Sequence, residues 1–133
     1  MGLGTRPAVL QARRQADYWT DERCFITEWS NSADDPAASI ARARVEPGVS
    51  TRWHRLVDTT ERYVILAGEG TVEIGDLAPR RMTVGDVAII PPRCRQRIAN
   101  TGTTDLVFLA ICTPRFVPAC YQDIEPEDGD PGR

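Results

Sequence analysis

Short runs of β-branched and apolar residues dominate the middle of the chain. In residues 39–45 the apolar side chains Ala41, Ala43 and Val45 alternate with two arginines, which is the period of a strand with one polar face. No segment in this region carries a sustained helical stripe. Further runs typical of strands are residues 24–29, 62–67, 71–74, 86–90, 96–100 and 106–112.

Glycine, proline and small polar residues separate these runs. Turn-forming pairs stand at Pro47-Gly48, Gly75-Asp76, Pro91-Pro92 and Thr101-Gly102. Many short strands at this spacing are typical of a sandwich or barrel. The pattern alone therefore predicts an antiparallel, all-β domain.

The length and composition predict one folded domain with different termini. The chain has 133 residues, 41% of them apolar, which is enough for one core. Residues 1–18 show neither a clean strand period nor a clean helix period and are predicted to form a loose arm or a short helix, followed by the β domain over residues 19–121. Residues 122–133 are acidic and rich in proline and glycine, a composition typical of a disordered tail.

Charge and hydropathy exclude several classes of partner and location. A net charge of -3 without a clustered basic face argues against nucleic-acid binding. No apolar run is long enough to span a membrane, and the first residues lack the apolar core of a signal peptide. We therefore expect a cytoplasmic protein that contacts no membrane, with its four cysteines as thiols.

One spaced set of residues lies in the first half of the β domain. Gly48 is followed by five residues and then His54, Leu56 comes two positions later, and Glu61 and Gly68 complete the set. This spacing resembles the first motif of the cupin superfamily, in which a glycine leads to His-x-His, a glutamate and a closing glycine.

A second set follows after a short gap. Gly85 leads to Pro91, Gln96 and Asn100 at the spacing of the second cupin motif, in which a histidine stands where this chain has Gln96. Two spaced motifs in the right order identify the chain as a small single-domain cupin. The resemblance implies a double-stranded β-helix, or jelly-roll, barrel.

The metal-ligand positions of the family are altered here. Carried over by position, they fall on His54, Leu56, Glu61 and Gln96, and Leu56 has no ligating atom. The resemblance still implies that His54, Glu61 and Gln96 hold one divalent ion, and a nitrogen, a carboxylate and an amide oxygen suit Mn, Fe, Ni or Zn. The alternative is that His54 and Glu61 hydrogen-bond each other without metal.

Metal-free catalysis is a second interpretation of the same residues. His54 would act as general base, and Tyr63 would donate to a substrate oxygen. Because side chains alternate along a strand, Tyr63 and Ile65 point to the same face as Glu61. Leu56, Ile65 and Ile98 are the predicted apolar lining of a ligand cavity.

Two function classes follow from this site. The first is a cupin that binds one divalent metal and acts on an unidentified small molecule as an oxygenase, isomerase or lyase. The alternative is a non-catalytic cupin that binds a small ligand in a degenerate, metal-free site. We also expect a homodimer, with the strand at residues 24–29 and its flanking Trp19 and Trp29 as the shared edge.

Overall fold

Two antiparallel β-sheets face each other and form a barrel. The computed structural model describes residues 5–11 and 17–126, and within them it contains no α-helix. A single 3₁₀ turn, Pro118–Cys120, precedes the last strand. The strands are β1 (Tyr18–Trp19), β2 (Phe25–Ser30), β3 (Ser39–Val45), β4 (His54–Leu56), β5 (Thr60–Ala67), β6 (Gly70–Ile74), β7 (Arg80–Met82), β8 (Val87–Ile90), β9 (Gln96–Asn100), β10 (Leu106–Thr113) and β11 (Tyr121–Asp123).

The strand order interleaves the two halves of the chain. One sheet has six strands in the order β1-β2-β3-β10-β5-β8, and the other has five in the order β11-β4-β9-β6-β7. Each of the seven predicted runs coincides with a strand, and the all-β jelly-roll prediction is confirmed. No helix within residues 5–11 and 17–126 has the length and apolar character to cross a membrane.

The core lies between the sheets, where the inward residues of both meet. Strand β5 alternates strictly between buried and partly exposed positions from Thr60 to Ile65, so Glu61, Tyr63 and Ile65 point inward. Strand β9 buries Gln96, Ile98 and Asn100 in the same way. Apolar side chains of the main core are Ala43, Val45, Tyr63, Ile65, Val72, Ile74, Met82, Ala88, Ile90, Ile98, Leu106 and Phe108.

The closing glycine of the first motif makes the turn between β5 and β6. Gly68 has φ +78, and a Cβ added there would lie 2.5 Å from the Asp105 carbonyl oxygen. Both the left-handed backbone and this close approach require glycine. The motif spacing is therefore tied to a tight turn that carries the chain from the first sheet to the second.

The sheets extend beyond the predicted limits of the β domain. Tyr18 already pairs with Ile26, and Gln122 and Asp123 pair with β4, so the predicted tail contributes part of β11. Because β1 covers the first residues of β2, the predicted shared edge at residues 24–29 is not the outermost strand. The rest of the predicted arm and tail falls partly on residues 1–4, 12–16 and 127–133, which lie outside the described residues.

Candidate functional site

A cavity of about 450 Å³ borders the inner face of the six-stranded sheet. Its walls come from β2, β3, β5 and β10, from the segment between β1 and β2, and from the segment that follows β10. The lining residues are Tyr18, Thr20, Glu22, Cys24, Ile26, Glu28, Asn31, Ser39, Ile40, Ala41, Ala43, Thr51, Glu61, Tyr63, Phe108, Ala110, Cys112, Arg115, Phe116 and Pro118.

Glu61 is a buried carboxylate on the cavity wall. The residue is 8% exposed, and its Oε1 atom has no hydrogen-bond partner. Burial, with a smaller contribution from the charge of Glu22, raises the pKa of Glu61 to about 8, against the opposing effect of hydrogen bonding from the nearby Gln96 and Cys112 side chains. An acceptor atom without a partner in this position is a binding determinant for any molecule that enters the cavity.

Tyr63 and Gln96 form a buried hydrogen-bonded pair next to Glu61. The Tyr63 hydroxyl donates to Gln96 Oε1 at 2.6 Å, which fixes the amide and leaves the phenolic oxygen with lone pairs only. Gln96 is 0% exposed, and its Nε2 atom has no partner among the described residues. The tyrosine ring also packs against Phe108 at a centroid distance of 4.5 Å.

His54 lies in the five-stranded sheet, opposite the sheet that carries Glu61. Its Nδ1 donates to the Arg52 carbonyl at 2.8 Å, because a carbonyl can only accept, and its ring stacks on Tyr121 at 5.2 Å. No hydrogen bond joins His54 to Glu61, and the predicted adjacency of their strands is corrected, because β4 and β5 belong to different sheets.

Glu22 is the carboxylate nearest to His54, and sequence reasoning missed it. Glu22 Oε2 lies 4.0 Å from His54 Nε2, and the Glu22 backbone carbonyl accepts from Arg52 N–H at 3.2 Å. Partial removal from water raises the pKa of Glu22, and His54 offsets that effect. Glu22 precedes both cupin motifs in a turn between β1 and β2, so no motif spacing indicated it.

The three residues predicted to line a ligand cavity do not border this one, so their predicted role stays a prediction. Leu56 packs with Cys112 and Cys120 in a separate apolar cluster. Ile65 and Ile98 lie in the main core, and neither borders the cavity. The inward direction of Ile65 was predicted correctly. The cavity lies towards β2 and β3, where inward residues are small, such as Ser39, Ala41 and Ala43.

The residues at the family's metal positions do not fit a divalent ion. Leu56 has no ligating atom, and the carbonyl oxygen of Gln96 already accepts from Tyr63. Within residues 5–11 and 17–126, no three histidine, cysteine or acidic side chains converge as a metal site. One imidazole and one carboxyl group leave the ion short of protein ligands.

Comparisons with known proteins agree with the observed fold. The cupin domain family profile matches residues 41–112. The oxalate-binding protein of Thermotoga maritima is 38% identical over 76 residues, which cover 56% of this chain and 61% of that protein. An uncharacterized protein of Methanocaldococcus jannaschii is 32% identical over 87 residues. That match covers 65% of this chain and 66% of the relative, so the matches span less than two thirds of either relative.

Solved structures extend the likeness to the barrel as a whole. A predicted oxalate decarboxylase from Thermotoga maritima is 30% identical with a TM-score of 0.62, covering 68% of this chain and 80% of that one. A Klebsiella pneumoniae protein with a double-stranded β-helix domain has a TM-score of 0.69 at 15% identity, over 87% of this chain and 100% of that one, and shows the fold alone. With the family profile over more than half of its length, this chain belongs to the cupin family.

Proposed function

We propose that this cupin binds a small organic molecule in the cavity beside Glu61 and does so without a metal ion. The observation that carries this proposal is a buried carboxylate whose Oε1 atom lacks a partner on the wall of a cavity of about 450 Å³. That volume is in the usual range for small-molecule sites, and the lining mixes apolar walls with a few polar groups.

The donor set supports metal independence. His54 and Gln96 are register partners on β4 and β9, but the Gln96 oxygen already accepts from Tyr63 and Leu56 offers no ligating atom. The divalent ion expected from the family, whether Mn, Fe, Ni or Zn, stays a prediction that this proposal does not require. A general-base role for His54 with Tyr63 also stays a prediction, because His54 does not border the cavity.

Similarity to an oxalate-binding protein supports small-molecule binding in general but not oxalate in particular. Oxalate is a dianion, and this cavity is lined by Glu22, Glu28 and Glu61. Without a metal ion to neutralise charge, Arg115 is the one lining cation that could offset the charge of a dianion beside these acidic side chains. We therefore infer a ligand that carries hydrogen-bond donors and no negative charge.

A ligand screen on chelator-treated protein tests the proposal. Small amines, polyols and dicarboxylates, oxalate included, are added to protein dialysed against a chelator, and thermal unfolding is followed. A ligand at about one hundred times its Kd adds about 2.7 kcal/mol to the free energy of unfolding. We expect a clear rise in Tm with members of the set that are not anionic.

Two variants separate cavity binding from surface binding. Ala110 borders the cavity and pairs with Tyr63, so Ala110→Leu places three further carbon atoms beside Tyr63 in the cavity. Ala99 alternates with buried Ile98 and Asn100, so Ala99→Leu adds the same atoms on the outer face. Ala110→Leu should abolish the rise in Tm and Ala99→Leu should keep it. Binding that appears only after Mn, Fe, Ni or Zn is restored contradicts the proposal.

A further inference from the structure

The floor of the cavity presents hydrogen-bond acceptors. Glu61 and Glu22 contribute carboxylates, and Tyr63 has given its only hydroxyl hydrogen to Gln96 Oε1. The unpartnered Gln96 Nε2 atom is a donor, but Gln96 does not border the cavity. A molecule that contacts Glu61, Glu22 and Tyr63 must therefore supply donors, although the Ser39 and Thr51 hydroxyls elsewhere on the lining keep hydrogens of their own.

The balance of charge around the cavity is negative. Three acidic side chains border it, at Glu22, Glu28 and Glu61, the last of them ionised above about pH 8, against one arginine among the lining residues, Arg115. The Arg115 Nε atom donates to Asn31 Oδ1 at 2.9 Å. His54 Nε2 is 4.0 Å from Glu22, a separation too long for a hydrogen bond, so the Glu22 oxygens keep their capacity to accept.

Aromatic rings stand beside the carboxylates. Tyr63 and Phe108 both border the cavity, and their centroids lie 4.5 Å apart. The electron-rich faces of such rings attract organic cations, most strongly where water is excluded. Carboxylates, lone pairs and aromatic faces together form the environment in which proteins hold alkylammonium groups.

The geometry points to an organic cation as the ligand class, with a primary ammonium group donating to Glu61 Oε1 and Glu22 and its carbon chain lying along Tyr63 and Phe108. This inference rests on the proposed function, because it names the chemistry of the ligand for the same cavity. The unpartnered, buried Oε1 atom is the position that the ammonium group completes. Neutral polyols satisfy the acceptors without neutralising the charge, and dicarboxylates do neither.

A matched series of probes distinguishes these classes. Butylamine and 1,4-diaminobutane are compared with butanol, 1,4-butanediol and succinate by calorimetric titration of chelator-treated protein at about pH 9, where alkylammonium groups remain charged. We expect the amines to bind and the alcohols and succinate to bind at least about tenfold more weakly, the size of one charge-assisted hydrogen bond. Glu61→Gln should weaken amine binding about tenfold or more, and Glu69→Gln, on an exposed ion pair with Arg81, should leave it unchanged.

Each other outcome decides against the inference. If the alcohols or succinate bind as well as the amines, or if no amine binds, the ligand is not a cation. If neither Glu61→Gln nor Glu22→Gln changes the affinity for amines, the two carboxylates do not hold the ammonium group. If a neutral probe binds and Ala110→Leu abolishes that binding, the cation inference is wrong but the proposed function stands. If Ala110→Leu does not change the binding of any probe, both are wrong.

Discussion

Glu61 is a buried acid whose ionisation the fold opposes. Its pKa is raised to about 8 by burial and by Glu22, against an ordinary value of 4.5. Between these two values the folded state holds a proton that the unfolded state has lost. The free energy of unfolding therefore falls as pH rises from about 4.5 to about 8, which is the sign for an acid with a raised pKa.

Glu61→Gln should remove this pH dependence. The variant keeps the shape of the side chain without the ionisable proton, so its free energy of unfolding should match that of the wild type near pH 5 and exceed it by a few kcal/mol near pH 8.5. Urea unfolding at a series of pH values measures the difference. The Glu69→Gln control should follow the wild type, and parallel curves for Glu61→Gln and the wild type would contradict the assignment.

The hydrogen bond between Tyr63 and Gln96 could not be predicted from the motif position of Gln96. The sequence places Gln96 at a family ligand position and predicts that it points inward, and both residues are indeed buried. That the amide oxygen accepts from Tyr63, on the opposite sheet, depends on the distance between the sheets. Motif spacing alone contains no information about that distance.

The long strands were predictable and the short ones were not. Strands β3, β5, β9 and β10 carry clear alternation or long β-branched runs, and the pattern located each. The short strands β1, β7 and β11 have two or three residues and form through pairing with longer neighbours. Because tertiary pairing rather than local propensity makes them, a single sequence gives little signal for them.

The C-terminal segment holds the turn that carries Glu22. Glu125 Oε1 accepts from the Trp53 backbone N–H at 2.9 Å, and its other oxygen pairs with Arg23 at 2.5 Å. The Glu125 side chain is largely buried, and Arg23 is the neighbour of Glu22. The predicted acidic tail therefore contributes to the barrel before the described residues end at residue 126.

Glu125→Ala should destabilise the protein by about 1–3 kcal/mol, because the Trp53 N–H loses its partner in a buried setting. Chemical unfolding measures the loss. Glu69→Ala removes an exposed ion pair of similar composition and should change the free energy of unfolding by less than about 1 kcal/mol. Equal effects for the two variants would show that the Glu125 contact does not stabilise the barrel.

The barrel as a unit explains why the fold was easier to predict than the site. Two spaced motifs fix turns such as the one at Gly68 and inward positions such as Glu61, and these determine the architecture. The cavity depends instead on where small residues such as Ala41 and Ala43 leave space, and on Glu22 from outside both motifs. The homodimer expected from sequence stays a prediction.

Metal content per chain tests metal independence most directly. Protein prepared without a histidine tag and without chelator is submitted to elemental analysis, together with His54→Ala and Glu61→Ala. We expect far less than one ion of Mn, Fe, Ni or Zn per chain in all three proteins. One equivalent of metal in the wild type, lost in both variants, would contradict it and establish His54 and Glu61 as ligands.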